Sequence, residues 1–356
     1  MALKSYKDAK LYGYSNARVK AMKSKLVGKS VLNDILKTES IPTILAKLLQ
    51  TDYKDYIEEI GDISQRSELV DLALNKSLVV NIEKLVRIAP KRDTKIMERI
   101  VGVWDMYNIK LILYAKVMNK DFNYLSRYLI ETKNFDNLFV KEALGEQDFY
   151  ATANKLMKIR SYKGEIGAAV NAYRKTSNIT EVNAAIDRVF FAGLGDAIET
   201  IQKRSPKAAK LIRLDIEMRN ILTLIRAKKA NLKPDDVSGL MISNGTTSPS
   251  QLMKMYANSN DMKELITGIK SFDLRQAMER YQAGKSKQML LFEISMRNSM
   301  FKKAISALHS AVLNFGVLIS YFYLKEIEVF TLRIYIIGRM HGLTNEEVTG
   351  MTEWQI

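Results

Sequence analysis

The chain has 356 residues, and 55 Lys/Arg against 39 Asp/Glu give it a net charge of +16. Apolar residues at 47% and charged residues at 26% exclude wholesale disorder and allow two or three domains of ordinary size. Cysteine is absent and His309 and His341 are the only histidines, which excludes disulfide frameworks, thiolate metal sites and thiol nucleophiles.

Only five prolines interrupt the chain, so long helices can run, and an all-α fold is predicted. Residues 1–37 have no continuous apolar segment and carry nine Lys/Arg against Asp8 and Asp34, which predicts no signal peptide and a cytoplasmic chain. Short helices are predicted to start near Ser40-Ile41-Pro42, Gln147-Asp148-Phe149 and Ser248-Pro249-Ser250, two of them with Pro just inside the first turn. Residues 69–74, 182–186 and 274–278 resemble one another faintly as apolar helical stretches. The third of these stands 19 residues further from the motif that follows it, the extra sequence covering about 284–303. Residues 202–233 hold ten Lys/Arg against Asp215 and Glu217. Residues 304–324 are long enough to span a bilayer, but Ser306, His309, Ser310, Asn314, Gly316 and Ser320 would need partners in lipid. A buried helix pair in a soluble core is therefore predicted, with His309 a hydrogen-bonded core residue. His341 precedes Gly342 at a predicted helix end, a structural place for both.

Three segments repeat at offsets of 112 and 111 residues: 104–116, 216–228 and 327–339. Met106, Ile109 and Leu113 share an i, i+3, i+7 stripe with Met218, Ile221, Ile225 and with Val329, Leu332, Ile336, the buried face of a helix. An acid precedes each stripe (Asp105, Glu217, Glu328). A small residue and a base close each, the bases being Lys116, Lys228 and Arg339, placed to suit the negative helix end. The register continues past the helix, where 232–240 matches 343–351 and Pro234 matches Asn345. Three helical repeats follow as an expectation, at 1–120, 121–232 and 233–356. No strand period persists in any of them.

The motifs of chemistry fail in place. Gly28-Lys29-Ser30 and Gly284-Lys285-Ser286 lack the earlier glycine of a phosphate loop and read as basic surface turns. Gly193-Leu194-Gly195 has no third glycine and no preceding strand, and reads as a helix–helix turn. The three repeated acids sit in equivalent places, whereas an enzyme has one site. They are read as structural partners of a Lys or Arg from a neighbouring helix. No catalytic, cofactor-binding or metal-binding residue is assigned. The basic surplus points to docking, but no recognisable nucleic-acid module accompanies it.

The opening residues 14–26, the middle segment 217–228 and the ending 316–333 resemble the C subunit of the archaeal A-type ATP synthase, a family that also includes the d subunit of the vacuolar ATPase. The resemblance covers nearly the whole chain. It implies an all-helical funnel of three similar bundles with pseudo-threefold symmetry. The implied place is the central stalk, between the rotating shaft subunits and the membrane ring of proteolipid subunits, peripheral to the membrane on its cytoplasmic side. It implies no cofactor, no catalysis and no nucleic-acid or small-molecule substrate. On this reading the shaft tip enters a pocket at one end, the broad face meets the ring, and polar contacts make much of the shaft joint. An α-helical scaffold binding nucleic acid is the alternative.

Overall fold

The structure is a computed structural model that describes residues 2–38, 40–61, 66–284, 289–311 and 313–340. The first part of the chain forms α1 (Ala2–Lys23), α2 (Lys29–Leu36), α3 (Ile41–Leu48), α4 (Lys54–Ile60), α5 (Arg66–Ile88), α6 (Thr94–Val101) and α7 (Val103–Val117). The middle forms α8 (Phe122–Ser126), α9 (Asn137–Gly145), α10 (Phe149–Leu156), α11 (Lys163–Thr176), α12 (Ile179–Ala192), α13 (Gly195–Arg204) and α14 (Pro206–Lys229). The last part forms α15 (Pro234–Ser238), α16 (Pro249–Asn258), α17 (Met262–Gly268), α18 (Arg275–Gln282), α19 (Leu290–Ser310) and α20 (Gly316–Met340). Among the described residues there is no strand, only one isolated bridge between Thr132 and Phe135.

Local chemistry sets most of the helix ends. Ser40, Asp121, Asp136, Asp148, Asn178, Ser248 and Asp261 each accept a backbone N–H at a helix start. Ser248 and Gln251 close a reciprocal capping box, and Pro42, Pro206, Pro234 and Pro249 occupy first turns. The three expected short helices begin where the sequence placed them. Asn119 and Asn231 take left-handed conformations just past α7 and α14. There Lys120 N bonds Ala115 O at 2.8 Å and Leu232 N bonds Ala227 O at 3.0 Å, closing both helices in the same way. The Gly193-Leu194-Gly195 stretch is the turn between α12 and α13, as read, and Gly28 opens α2 from an exposed turn. Lys285, Ser286, His341 and residues 343–351 lie outside the described residues.

The stretch 304–324 breaks at 311–315, where Leu313 turns with a positive φ and Asn314 accepts Gly316 N at 2.8 Å. It is a helix pair, and among the described residues no helix is long and apolar enough to cross a membrane. The reading of His309 is corrected. Its ring is exposed, with Nε2 3.4 Å from Lys23 Nζ. The buried face of α19 runs through Phe301, Ala304 and Ala307, and the 3.6-residue period turns position 309 away from it. The upstream resemblance also shifts. Residues 69–74 and 182–186 lie in α5 and α12, but 274–278 open the short α18, and the long helix directly before α20 is α19.

Packing links the helices across the chain. α7 lies on α12, α14 on α19, and α20 on α5 and α1. Most buried side chains form one continuous core, and a smaller cluster of Leu224, Ala227, Val237, Met241, Leu252, Tyr256 and Leu265 seats α15–α17 against the end of α14.

Candidate interaction surface

The three repeated acids are buried, and each accepts three hydrogen bonds. Asp105 takes Thr132 Oγ1 at 2.6 Å, Asn134 Nδ2 at 2.7 Å and the Tyr162 hydroxyl at 2.8 Å. Glu217 takes Thr247 N at 2.7 Å, Thr247 Oγ1 at 2.6 Å and Ser271 Oγ at 3.1 Å. Glu328 takes Val27 N at 2.6 Å, the Tyr53 hydroxyl at 2.7 Å and Lys325 Nζ at 2.6 Å. For Asp105 and Glu217 the expected Lys or Arg partner is replaced by hydroxyls and amides, and the Lys325 that meets Glu328 stands on the same helix, α20, rather than on a neighbouring one. A buried carboxylate is satisfied by any donors that reach it, and hydroxyls and amides come without a second charge to desolvate. Burial first, and then the adjacent acid, hold the Tyr53 and Tyr162 phenols far above their ordinary value, so both remain donors.

Those donors were not legible from the sequence. Tyr53, Tyr162 and Ser271 stand 109 residues apart, but the residue type changes, so only their spacing could have found them. Asn108 and Asn220 are a second pair of this kind. Each side chain bonds both the N–H and the C=O of one residue, Ile130 at 3.2 and 2.6 Å and Ile242 at 2.8 and 2.8 Å. Thr331 stands at the same position of the third segment.

The bases at the segment ends work on a neighbour rather than on their own helix. Lys116 Nζ donates to Leu144 O at 3.1 Å and to Glu146 O, carbonyls at the end of α9. Lys228 Nζ donates to Tyr256 O at 3.0 Å and Ser259 O at 2.6 Å at the end of α16. Each ammonium satisfies carbonyls that the helix leaves unpaired. Arg339 is in the last turn of α20, and its side chain lies outside the described residues.

Ion pairs also stand on these helices and their neighbours. Lys110 pairs with Asp187 at 2.8 Å, Arg219 with Asp215 at 3.2 Å, Arg297 with Glu293 at 2.9 Å, and Arg333 with Asp71 at 2.7 Å. A cleft of about 570 Å³ between α12, α14 and α19 is lined by Lys110, Asp187, Arg219, Arg226, Glu293 and Arg297. Burial and then Asp215 push the neighbouring Glu326 carboxyl up to about 8, against the pull of Arg297, Arg219 and the Trp104 indole. A second cleft of about 630 Å³ lies between α5 and α6. Its Arg99 is bound to Glu165 at 2.6 Å and its Lys133 to Glu98 at 3.5 Å, so those cations are already engaged. Among the described residues no group of three or more His, Asp or Glu could hold a metal ion.

A family model described as ATP synthase (C/AC39) subunit matches residues 15–351. The chain belongs to that family. Its curated relatives include the A-type ATP synthase C subunit of Methanosarcina mazei, 24% identical over 96% of this chain and 93% of that protein. The corresponding protein of Methanocaldococcus jannaschii is 23% identical over 97% and 86%. That of Thermococcus onnurineus is 26% identical over 77% and 75%. As a C/AC39 subunit the chain is a non-catalytic, socket-type component of a rotary ATP synthase rotor. For such a component, acids and bases spent on internal hydrogen bonds are appropriate. Torque passes through fixed packing, and buried groups that are fully satisfied give a rigid, unique arrangement.

Proposed function

We propose that this C/AC39 subunit is a closed, pseudo-threefold funnel of helical units, 1–120, 121–232 and 233–356. Its inner cleft would seat the end of the central shaft, and its broad face would rest on the proteolipid ring at the cytoplasmic side of the membrane. The observation that carries the proposal is the recurring interlock. Asp105 and Glu217 take their donors from the segment that follows, and Glu328 takes one from Lys325 on its own helix and two from Tyr53 and Val27, 275 and 301 residues away. The contacts of α7 with α12, α14 with α19 and α20 with α5 are consistent with such a closed order. The starts of α6, α14 and α20 also come together. Arg204 bonds Asp93, and Ser205 lies so close to Gly316 that a Cβ there would collide with its hydroxyl. A ring closed in this way transmits torque without a free end.

The repeated positions Asp105, Glu217, Glu328, Lys116, Lys228 and Arg339 belong to this frame in the proposal and contact no partner. Shaft and ring would meet other faces. The nucleic-acid alternative has less support, because many cations of 202–233 are engaged inside the chain: Arg204 with Asp93, Arg213 with Glu199, Arg219 with Asp215, and Lys228 with carbonyls. The test is co-purification of the tagged full chain with the shaft subunits and the membrane ring. Retention that falls with rising salt is expected from a joint rich in exposed charge. A chain recovered with neither partner at low salt would end the proposal.

A further inference from the structure

The positive surplus is concentrated. Residues 9–33, 200–214 and 294–325 contain no Asp or Glu and hold six, five and four Lys/Arg, nearly the whole net charge of +16. The fold brings these stretches together, because α19 packs on α14 and α20, and α20 on α14 and α1. Five of their cations reach acids elsewhere: Lys25 meets Asp52, Arg204 Asp93, Arg213 Glu199, Arg297 Glu293 and Lys325 Glu328. Others gather on one face. Lys207 Nζ donates to Ser306 Oγ at 3.3 Å, and Lys210 stands beside Lys303, so α14 and α19 run antiparallel there. Further along α19, His309 Nε2 lies 3.4 Å from Lys23 Nζ, and Lys20 is one turn before Lys23 on α1. Lys23, Lys207, Lys210 and Lys303 make no ion pair among the described residues. Burial, and then Lys210, pull the Lys303 ammonium below its ordinary value.

Ammoniums crowded without a carboxylate repel one another in the folded chain, and a bound anion relieves that repulsion. The composition of the face selects the anion. Its exposed groups are lysines, His309 and the hydroxyl-bearing Ser306 and Ser310, with no exposed Tyr or Trp and no unpaired Arg among them. Protein interfaces are depleted in Lys and enriched in Arg and aromatic rings, and carboxylates favour the planar fork of Arg. Nucleic-acid faces use rings to stack bases and Arg to read them. Lysine is a point charge that suits phosphate oxygens. The face also lies outside both clefts, so it does not enclose a small phosphate compound. An open lysine surface crossing three helices matches a plane of phosphate groups. We propose that the face formed by Lys20, Lys23, Lys207, Lys210 and Lys303 rests directly on anionic phospholipid headgroups. Contact of this kind needs neither shaft nor ring, and attaches the subunit to the bilayer itself.

The full chain is floated with vesicles of phosphatidylcholine alone, or of phosphatidylcholine with about one-third phosphatidylglycerol, at low and high salt. Retention by the anionic vesicles only, and only at low salt, is expected. Acetylation by a water-soluble amine reagent, mapped by mass spectrometry on the wild-type chain, is expected to slow at Lys207, Lys210 and Lys303 when those vesicles are present. It is expected to stay unchanged at the exposed Lys141, Lys158 and Lys163. Lys207→Gln/Lys210→Gln/Lys303→Gln is expected to weaken vesicle binding on the order of a hundredfold. Its melting temperature is expected to hold or rise, since crowded charge is removed. Lys141→Gln/Lys158→Gln/Lys163→Gln changes the net charge equally and is expected to weaken binding less than about threefold. Equal losses in the two variants, unprotected patch lysines, or no binding to anionic vesicles at low salt would each overturn the proposal. Tighter binding of duplex DNA than of the anionic vesicles at the same salt would overturn it too. Co-purification with shaft and ring is a separate readout, so the socket reading stands or falls independently.

Discussion

At the scale of single residues, Glu328 and Lys325 show how burial changes the worth of a charge. The pair is 2.6 Å apart with side chains 0% and 6% exposed, and the acid also holds Tyr53 and Val27. Glu328→Ala leaves the buried Lys325 ammonium without a counter-charge, holding only the Tyr53 hydroxyl at 3.0 Å, and the Tyr53 phenol and Val27 amide without their acceptor, and should cost about 3–5 kcal/mol in urea unfolding. Asp105→Asn should cost less, about 1–2 kcal/mol, because its three donors are neutral and the amide oxygen still accepts. Equal losses would mean that the missing charge partner is irrelevant. Glu326 gives a pH signature. Its carboxyl is raised from 4.5 to about 8, so the folded state binds the proton more tightly than the unfolded chain. The stability this contributes is fully present below 4.5 and is lost as pH rises through about 8. Melting temperature should fall over that window, and Glu326→Gln should flatten the fall and leave the variant the more stable form at alkaline pH. Asp215, Arg219 and Arg297, which face the same group, stay in place in that comparison.

At the scale of elements, two glycines record where backbone and side chain crowd. The helical run that α14 and α20 make unbroken is divided at Gly102 into α6 and α7. A Cβ there would stand 2.7 Å from the Tyr162 hydroxyl, the group that reaches Asp105. At the start of α20, Gly316 leaves space for Ser205. Gly316→Ala should therefore destabilise by about 1–3 kcal/mol. Adding Ser205→Gly should recover much of that loss, a coupling that a double-mutant cycle reads directly. Lys228→Met should loosen the end of α16 locally, visible as faster amide exchange around Tyr256 to Ser259, without a comparable change in α14. These devices were partly legible. The caps at Ser40, Asp148 and Ser248 act within three residues, so local sequence contained them. Lys116 and Lys228 were found as repeated bases, but their targets, 28 residues and more away, depend on how two helices cross. His309 failed for a related reason. Average hydropathy of a stretch does not fix which side of a helix one residue occupies, and the packed face of α19 does.

At the scale of the molecule, α20 is built into the beginning of the chain through α1, α3 and α5. Probes placed in α3 and in α19 should therefore report one coincident unfolding transition rather than separate melting of the ends. Two separated transitions would contradict the closed arrangement.

Sequence by itself determined that the chain is helical, that one pattern of acid, apolar stripe and base recurs three times, and that no catalytic set converges. Those features are written in short-range periodicity and in residue types that are present or absent. Tertiary structure alone decided what the acids bind, that Glu328 is held by Val27 and Tyr53, and which side of α19 carries His309. Hydrogen bonds across 275 and 301 residues have no local signature, because any donor brought within about 3 Å serves a buried carboxylate and only the fold brings it there.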